Sequence, residues 1–83
     1  MVQRHVLKIE AKYAKEVLNG NKPFEIRYND RDFQVNDIVV FQVVDDDMLD
    51  IEIAHHVYRI DYITSFAQIN GYVVFTIRDI LEV

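Results

Sequence analysis

Gly20-Asn21-Lys22-Pro23-Phe24-Glu25-Ile26-Arg27 places a helix stop, a cation, a carboxylate and a guanidinium within eight residues. Phe24 to Asn29 alternates strictly, so as a strand it sets Phe24, Ile26 and Tyr28 on one face and Glu25, Arg27 and Asn29 on the other. Glu25 and Arg27 then stand about 6.6 Å apart along the backbone, with Lys22 entering from the loop above. Two cations with a carboxylate between them suit a ligand that presents both anionic and donor groups, such as a nucleotide with its phosphate and base edge. Arg27 would hold phosphate as a fork, Lys22 would supply attraction, and Glu25 would accept from a base or orient Arg27. The competing reading pairs Glu25 with Arg27 or Lys22 on an exposed face, where such a bridge is worth about 0–1 kcal/mol.

Other polar groups offer less. Asp45-Asp46-Asp47 puts three carboxylates in a row, but successive side chains diverge and no second ligand cluster sits at a diagnostic spacing, so a solvated loop is expected rather than a metal site. His55 and His56 cannot share one face of a strand; one is expected in the core and the other in solvent. His5 opens the first strand and reads as a surface histidine. Tyr13, Tyr28, Tyr58, Tyr62 and Tyr72 are numerous for so short a chain. Exposed tyrosines stack on bases in single-stranded RNA recognition, yet most of these are expected as half-buried strand residues with wet hydroxyls.

The elements that must position these groups follow from hydrophobic periodicity. Val6 to Ile9 reads as a first strand. Glu10 to Leu18 reads as a helix, with Tyr13, Ala14, Val17 and Leu18 on one face and Lys12, Lys15 and Glu16 pointing away. Asn19-Gly20 stops it, and Pro23 forbids continuation. After the Phe24–Asn29 strand, Asn29 to Asp32 and Val35 to Asp37 are turn-prone, with Asn36 able to take positive φ and Phe33 plugging the core between them. Ile38 to Val44 is a strand covered on both sides, ended by the aspartates. Ile51 to Ile63 reads as one long strand whose apolar phase slips near His56, which suggests a bulge or barrel bend there. Thr64 to Gln68 is a loop, Asn70-Gly71 a tight turn and Tyr72 to Arg78 the last strand. One helix and a run of strands without βαβ alternation pack most economically as a closed or half-closed barrel, antiparallel or mixed, with the helix against it.

Composition bounds the rest. Eighty-three residues, 51% apolar and 28% charged, make one domain able to bury a core. There is no cysteine and therefore no disulfide or thiolate cluster. The longest apolar runs, Ile38 to Phe41 and Tyr72 to Phe75, fall far short of the roughly 20 residues that span a bilayer, and a cytoplasmic location is expected. The net charge of −5 argues against coating nucleic acid by bulk electrostatics. Yet Met1 to Arg31 carries +3 and Asp32 to Val83 carries −8, so an anion site belongs in the first third.

The run Gly20 to Arg27 resembles the G-x-K-x-x-E-x-R signature of the ASCH superfamily, small β-barrels related to the PUA RNA-binding domain. The continuation Asn29 to Asp37 is similar to a short phage and bacterial branch of unknown function in which this stretch ends in Gly-Asp; here Asn36 stands for the Gly. The opening strand and helix and the closing Gly71-Tyr72-Val73-Val74 also resemble that branch. The resemblance implies a cleft beside the first helix that binds RNA or a modified nucleotide through Lys22, Glu25 and Arg27, with Asn29 and Arg31 as neighbours. One enzyme branch similar to these domains, the acetylcytidine amidohydrolases, uses a Lys, a Thr and a Glu, the Thr lying three residues after the motif Lys. Here that position is Glu25 and the next Thr is Thr64, so hydrolysis by that route is not expected; a water activated by Glu25 beside Lys22 is the remaining enzymatic route.

The expected molecule is therefore an α+β protein: a PUA-like (ASCH) β-barrel of about five strands with one main helix, forming a single domain over residues 1–83. It is expected to be a monomer that binds RNA or a nucleotide-like ligand without cofactor, metal or membrane. The alternatives are a nucleoside-modifying amidohydrolase and a protein-interaction domain that pairs through an exposed strand edge, one form of which is a dimer.

Overall fold

The computed structural model describes residues 1–80. Its elements run β1 (Arg4–Ile9), α1 (Ala11–Leu18), β2 (Phe24–Tyr28), β3 (Ile38–Val43), α2 (Asp47–Ile53), β4 (Tyr58–Thr64) and β5 (Tyr72–Asp79). The strands form one sheet in the order β1-β3-β4-β5-β2, with β1 parallel to β3 and the other pairs antiparallel. The fold is thus a small mixed α+β architecture with a curled, half-closed sheet.

The core lies on the concave face. Leu7, Ile9, Val39, Phe41, Val43, Tyr58, Ile60, Val73, Phe75 and Ile77 enter it from the strands, Ala14 and Val17 from α1, and Leu49 and Ile53 from α2. Phe33 plugs it from the β2–β3 loop, packing its ring 4.9 Å from Phe75, as the sequence suggests. Asn36 does take the left-handed conformation, at φ 78. β3 is buried at alternate positions rather than throughout, so it presents one face to the core and leaves Gln42 in water.

The expected strand from Ile51 to Ile63 is corrected by the structure: its first part is the helix α2. Asp46 is the N-cap, its carboxylate accepting from the Leu49 N–H at 3.0 Å, and Asp47 and Asp50 place negative charge at the positive end of the helix. Leu49 and Ile53, four apart, then fall on the buried face. The alternation of Ile51, Ile53 and His55 imitates a strand, but Ile51 points into water. The aspartate run is accordingly not a bare solvated loop: Asp45 accepts from the Ala11 N–H at 2.7 Å, tying α1 to the start of α2. The register shift in β4 lies between Ile60 and Tyr62 rather than near His56.

His5 also departs from expectation. It is buried against Asp37, Nε2 to Oδ2 at 2.8 Å, with its ring 4.7 Å from that of Phe33. The Val35–Asn36–Asp37 turn folds this carboxylate inward, where it also accepts from the backbone N–H groups of Gln3 and Gln34, both at 3.1 Å. Burial opposes ionisation of Asp37, but the hydrogen bonds from His5, Gln3 and Gln34 outweigh it and hold the carboxyl below its usual value. Neither of the adjacent histidines is a core residue: His55 is exposed, and His56 is half-buried with Nδ1 2.6 Å from Asp79. Of the tyrosines only Tyr58 is buried, and burial first, then the nearby Asp79, pushes its phenol up to about 12.

Candidate functional site

The end of α1 delivers Lys22. Gly20 sits at φ 78 just past the helix, and the turn it permits lets the Glu16 carbonyl accept from the N–H groups of Asn21 and Lys22. Pro23 then hands the chain to β2, its carbonyl accepting from the Ile77 N–H at 3.0 Å. Along β2 the alternation falls with Glu25 buried and Arg27 half-buried on the concave side, while Ile26 and Tyr28 face outward.

These placements bring Lys22, Glu25 and Arg27 together. The Glu25 carboxylate, 5% exposed, accepts from the Lys22 ammonium on one oxygen and from Arg27 Nε at 2.9 Å on the other. Lys22 also donates to the Phe24 carbonyl at 3.0 Å. The pairing that the sequence allows on an exposed face therefore occurs, but around a buried carboxylate at the base of a cleft. That cleft, about 490 Å³, is lined by Lys8, Ile9 and Glu10 from the end of β1, Tyr13 from α1, and Lys22, Glu25, Ile26 and Arg27. With three cations to two carboxylates the lining carries a net charge of +1 in a chain of net charge −5. Outside the cleft, fully exposed Lys12 lies 5.0 Å from the Tyr13 ring and is held above the usual lysine value by Tyr13 and, less strongly, by Glu10.

Arg27 has a second partner, which sequence reading does not anticipate. Its Nη2 donates at 2.8 Å to the carbonyl of Lys8, and Arg31 Nη1 donates at 2.8 Å to that of Val6. β1 and β2 are the two edges of the sheet. On the β3 side, β1 offers the carbonyls of odd-numbered residues, as Gln3 and Ile9 show by accepting from Ile38 and Val44. The even-numbered carbonyls face outward, and the two arginines satisfy those of Val6 and Lys8. The half-barrel is closed here by guanidinium groups in place of a backbone ladder.

The chain matches one family model over residues 4–77. It belongs to the family described as Domain of unknown function (DUF3850). No curated protein matches it.

Two of the site residues expected from sequence lie outside the lining of the cleft in this DUF3850 domain. Asn29 turns its side-chain oxygen to the Phe33 N–H at 2.9 Å, fixing the loop that carries the plug, and Arg31 works at the seam. Conversely, sequence reading missed Lys8 and Glu10 and did not single Tyr13 out from the other tyrosines. Lys8 interrupts an apolar strand, the one signal that could have marked it. Tyr13 hides among the apolar positions of α1 but is left half-exposed. Among the described residues no group of three metal-ligating side chains comes together.

Proposed function

We infer that this domain is an ASCH-type, PUA-like module that binds RNA or a nucleotide-like ligand in the cleft between the end of β1, α1 and β2. The observation that carries this reading is the buried Glu25 carboxylate flanked by Lys22 and Arg27 at the base of a cationic cleft with an exposed aromatic ring on its wall. Phosphate answers the cations, a base has the Tyr13 ring to stack on, and base-edge donors have the carboxylates of Glu25 and Glu10. Arg27 uses two of its five donors on Glu25 and Lys8, which leaves three for a ligand. Hydrolysis is less well supported, because among the described residues Tyr13 supplies the only hydroxyl in the lining and no serine or threonine lines the cleft beside Lys22.

The test is titration with a panel of short RNAs and free nucleotides, followed by amide chemical shifts. The expected result is shifts confined to residues 8–13 and 22–27 and affinity that falls as salt rises. Lys8→Glu and Tyr13→Ala change exposed groups, keep the fold and are expected to weaken binding at least about tenfold. Absence of binding across the panel, or affinity indifferent to both substitutions, overturns the assignment.

A further inference from the structure

We propose that the convex face of β2, β5 and β4 is the surface through which two copies of this chain pair. The strand registers set Phe24 beside Thr76, Ile26 beside Val74 and Tyr28 beside Tyr72, and on the other flank of β5 set Tyr62 beside Thr76 and Thr64 beside Val74. None of these eight side chains is charged, and residues 62–77 contain no Asp, Glu, Lys or Arg in a chain that is 28% charged. Tyr28 and Tyr72 meet edge to face at 5.6 Å. At that end of the face the β4–β5 loop leaves Phe66 and Ile69 almost entirely in water. Aromatic and aliphatic side chains with few charges are the composition of an interface centre.

Size and charge select the occupant. At about 150–250 Å² for an aromatic side chain, the exposed fractions of Ile26, Tyr28, Tyr62, Phe66, Ile69 and Tyr72 leave roughly 600–700 Å² in contact with water. Two such patches facing each other bury up to about 1,300 Å², which reaches the lower end of the roughly 1,200–2,000 Å² of a stable interface. Two molecules of net charge −5 repel through most approaches, and the uncharged part of this face is where they meet without opposing like charges. A two-fold contact sets this patch against itself. Nucleic acid fits it less well, because Arg59 and Arg78 at its far end are both held by Asp61, with Nε to carboxylate distances of 3.0 and 2.7 Å. The free edges of the sheet are poorer docking sites still, since Arg27 and Arg31 occupy the seam.

Sedimentation equilibrium from micromolar to near-millimolar protein tests the proposal, with an expected rise from the 9.9 kDa chain mass toward twice that value. Thr76→Lys and Ile26→Lys each place a charge on an outward-facing position of this face, where pairing of two copies would bury it among uncharged side chains without a partner. Each is expected to weaken dimerisation by about tenfold or more, whereas Lys15→Ala on the exposed side of α1 leaves it unchanged. Amide spectra of the variants establish that the fold is intact. A single 9.9 kDa species at every concentration, or a dimer indifferent to both substitutions, overturns the proposal. So does a monomer whose Tyr62 and Tyr72 amides shift on addition of a short RNA, which would assign the face to nucleic acid.

Discussion

Replacing Arg27 by alanine tests the idea that side chains, rather than a backbone ladder, close this half-barrel. The substitution removes the bond to the Glu25 carboxylate and the bond to the Lys8 carbonyl. Hydrogen bonds to charged groups contribute about 1.5–3 kcal/mol each, but the Arg27 side chain is 26% exposed, so solvent screening places the pair nearer 2–4 kcal/mol in total. Glu25 keeps Lys22 and is not stranded. For a domain of this size that loss corresponds to a fall in Tm of roughly 10–25 °C. Arg31→Ala serves as the comparison: it removes one exposed bond to the Val6 carbonyl and should cost about 1 kcal/mol or less. Urea unfolding gives both numbers, and amide exchange localises them. In Arg27→Ala the protection of β1 should fall toward that of an open sheet edge while β4 and β5 keep theirs. Equal losses in the two variants, or unchanged exchange along β1, would falsify closure by the guanidinium groups.

Asp37→Ala leaves the buried His5 and two part-buried backbone N–H groups without their shared acceptor and should destabilise the fold by about 3–5 kcal/mol, measured by urea unfolding. Because the folded pKa of Asp37 is depressed below 3.8, the stability it contributes is fully present above that value. It is lost as pH falls through the folded pKa, so acid unfolding should begin below about pH 4 and lose its Asp37 component in Asp37→Asn. Ala67 holds φ 59, a conformation that costs a side-chain-bearing residue roughly 1–2 kcal/mol, whereas glycine loses about 0.4–1 kcal/mol more on ordering. Ala67→Gly should therefore raise stability by about 0.5–1 kcal/mol in thermal unfolding, and a lower Tm would contradict this.

Much of the fold is legible because local signals agree with the tertiary answer. The first strand, α1 with its Gly20 stop, the alternation of β2 and the Phe33 plug are each specified by residues that also pack or turn as needed. The α2 region is where two local codes compete. Asp46-Asp47 with Leu49 and Ile53 spells a capped helix, while Ile51, Ile53 and His55 spell a strand; the cap decides, because it satisfies an orphan helix donor that a strand assignment leaves unused. His5 was unreadable for another reason. Its partner lies 32 residues away, and nothing in the opening segment indicates that the turn at Asn36 will bring a carboxylate beneath it.

The site shows the same division. The local triad of Lys22, Glu25 and Arg27 can be read from spacing because all three lie within six residues, on a loop and strand of known periodicity. The opposite wall, with Lys8, Glu10 and Tyr13, belongs to the chain before β2, and only the curl of the sheet brings it across. That curl also gives Arg27 two tasks. Its Nε and one Nη2 donor are committed to Glu25 and to the edge of β1, so a ligand that met it with the remaining donors would find a guanidinium already oriented from both sides. On the proposed function, binding and closure would draw on different donors of one side chain and reinforce each other, since the contacts that hold the seam also fix the fork against the entropy of a long flexible stem. A lysine at this position has too compact a charge to do both, which is why Arg27→Lys should separate the two: the fold retained through one bond, and the cleft left without its fork.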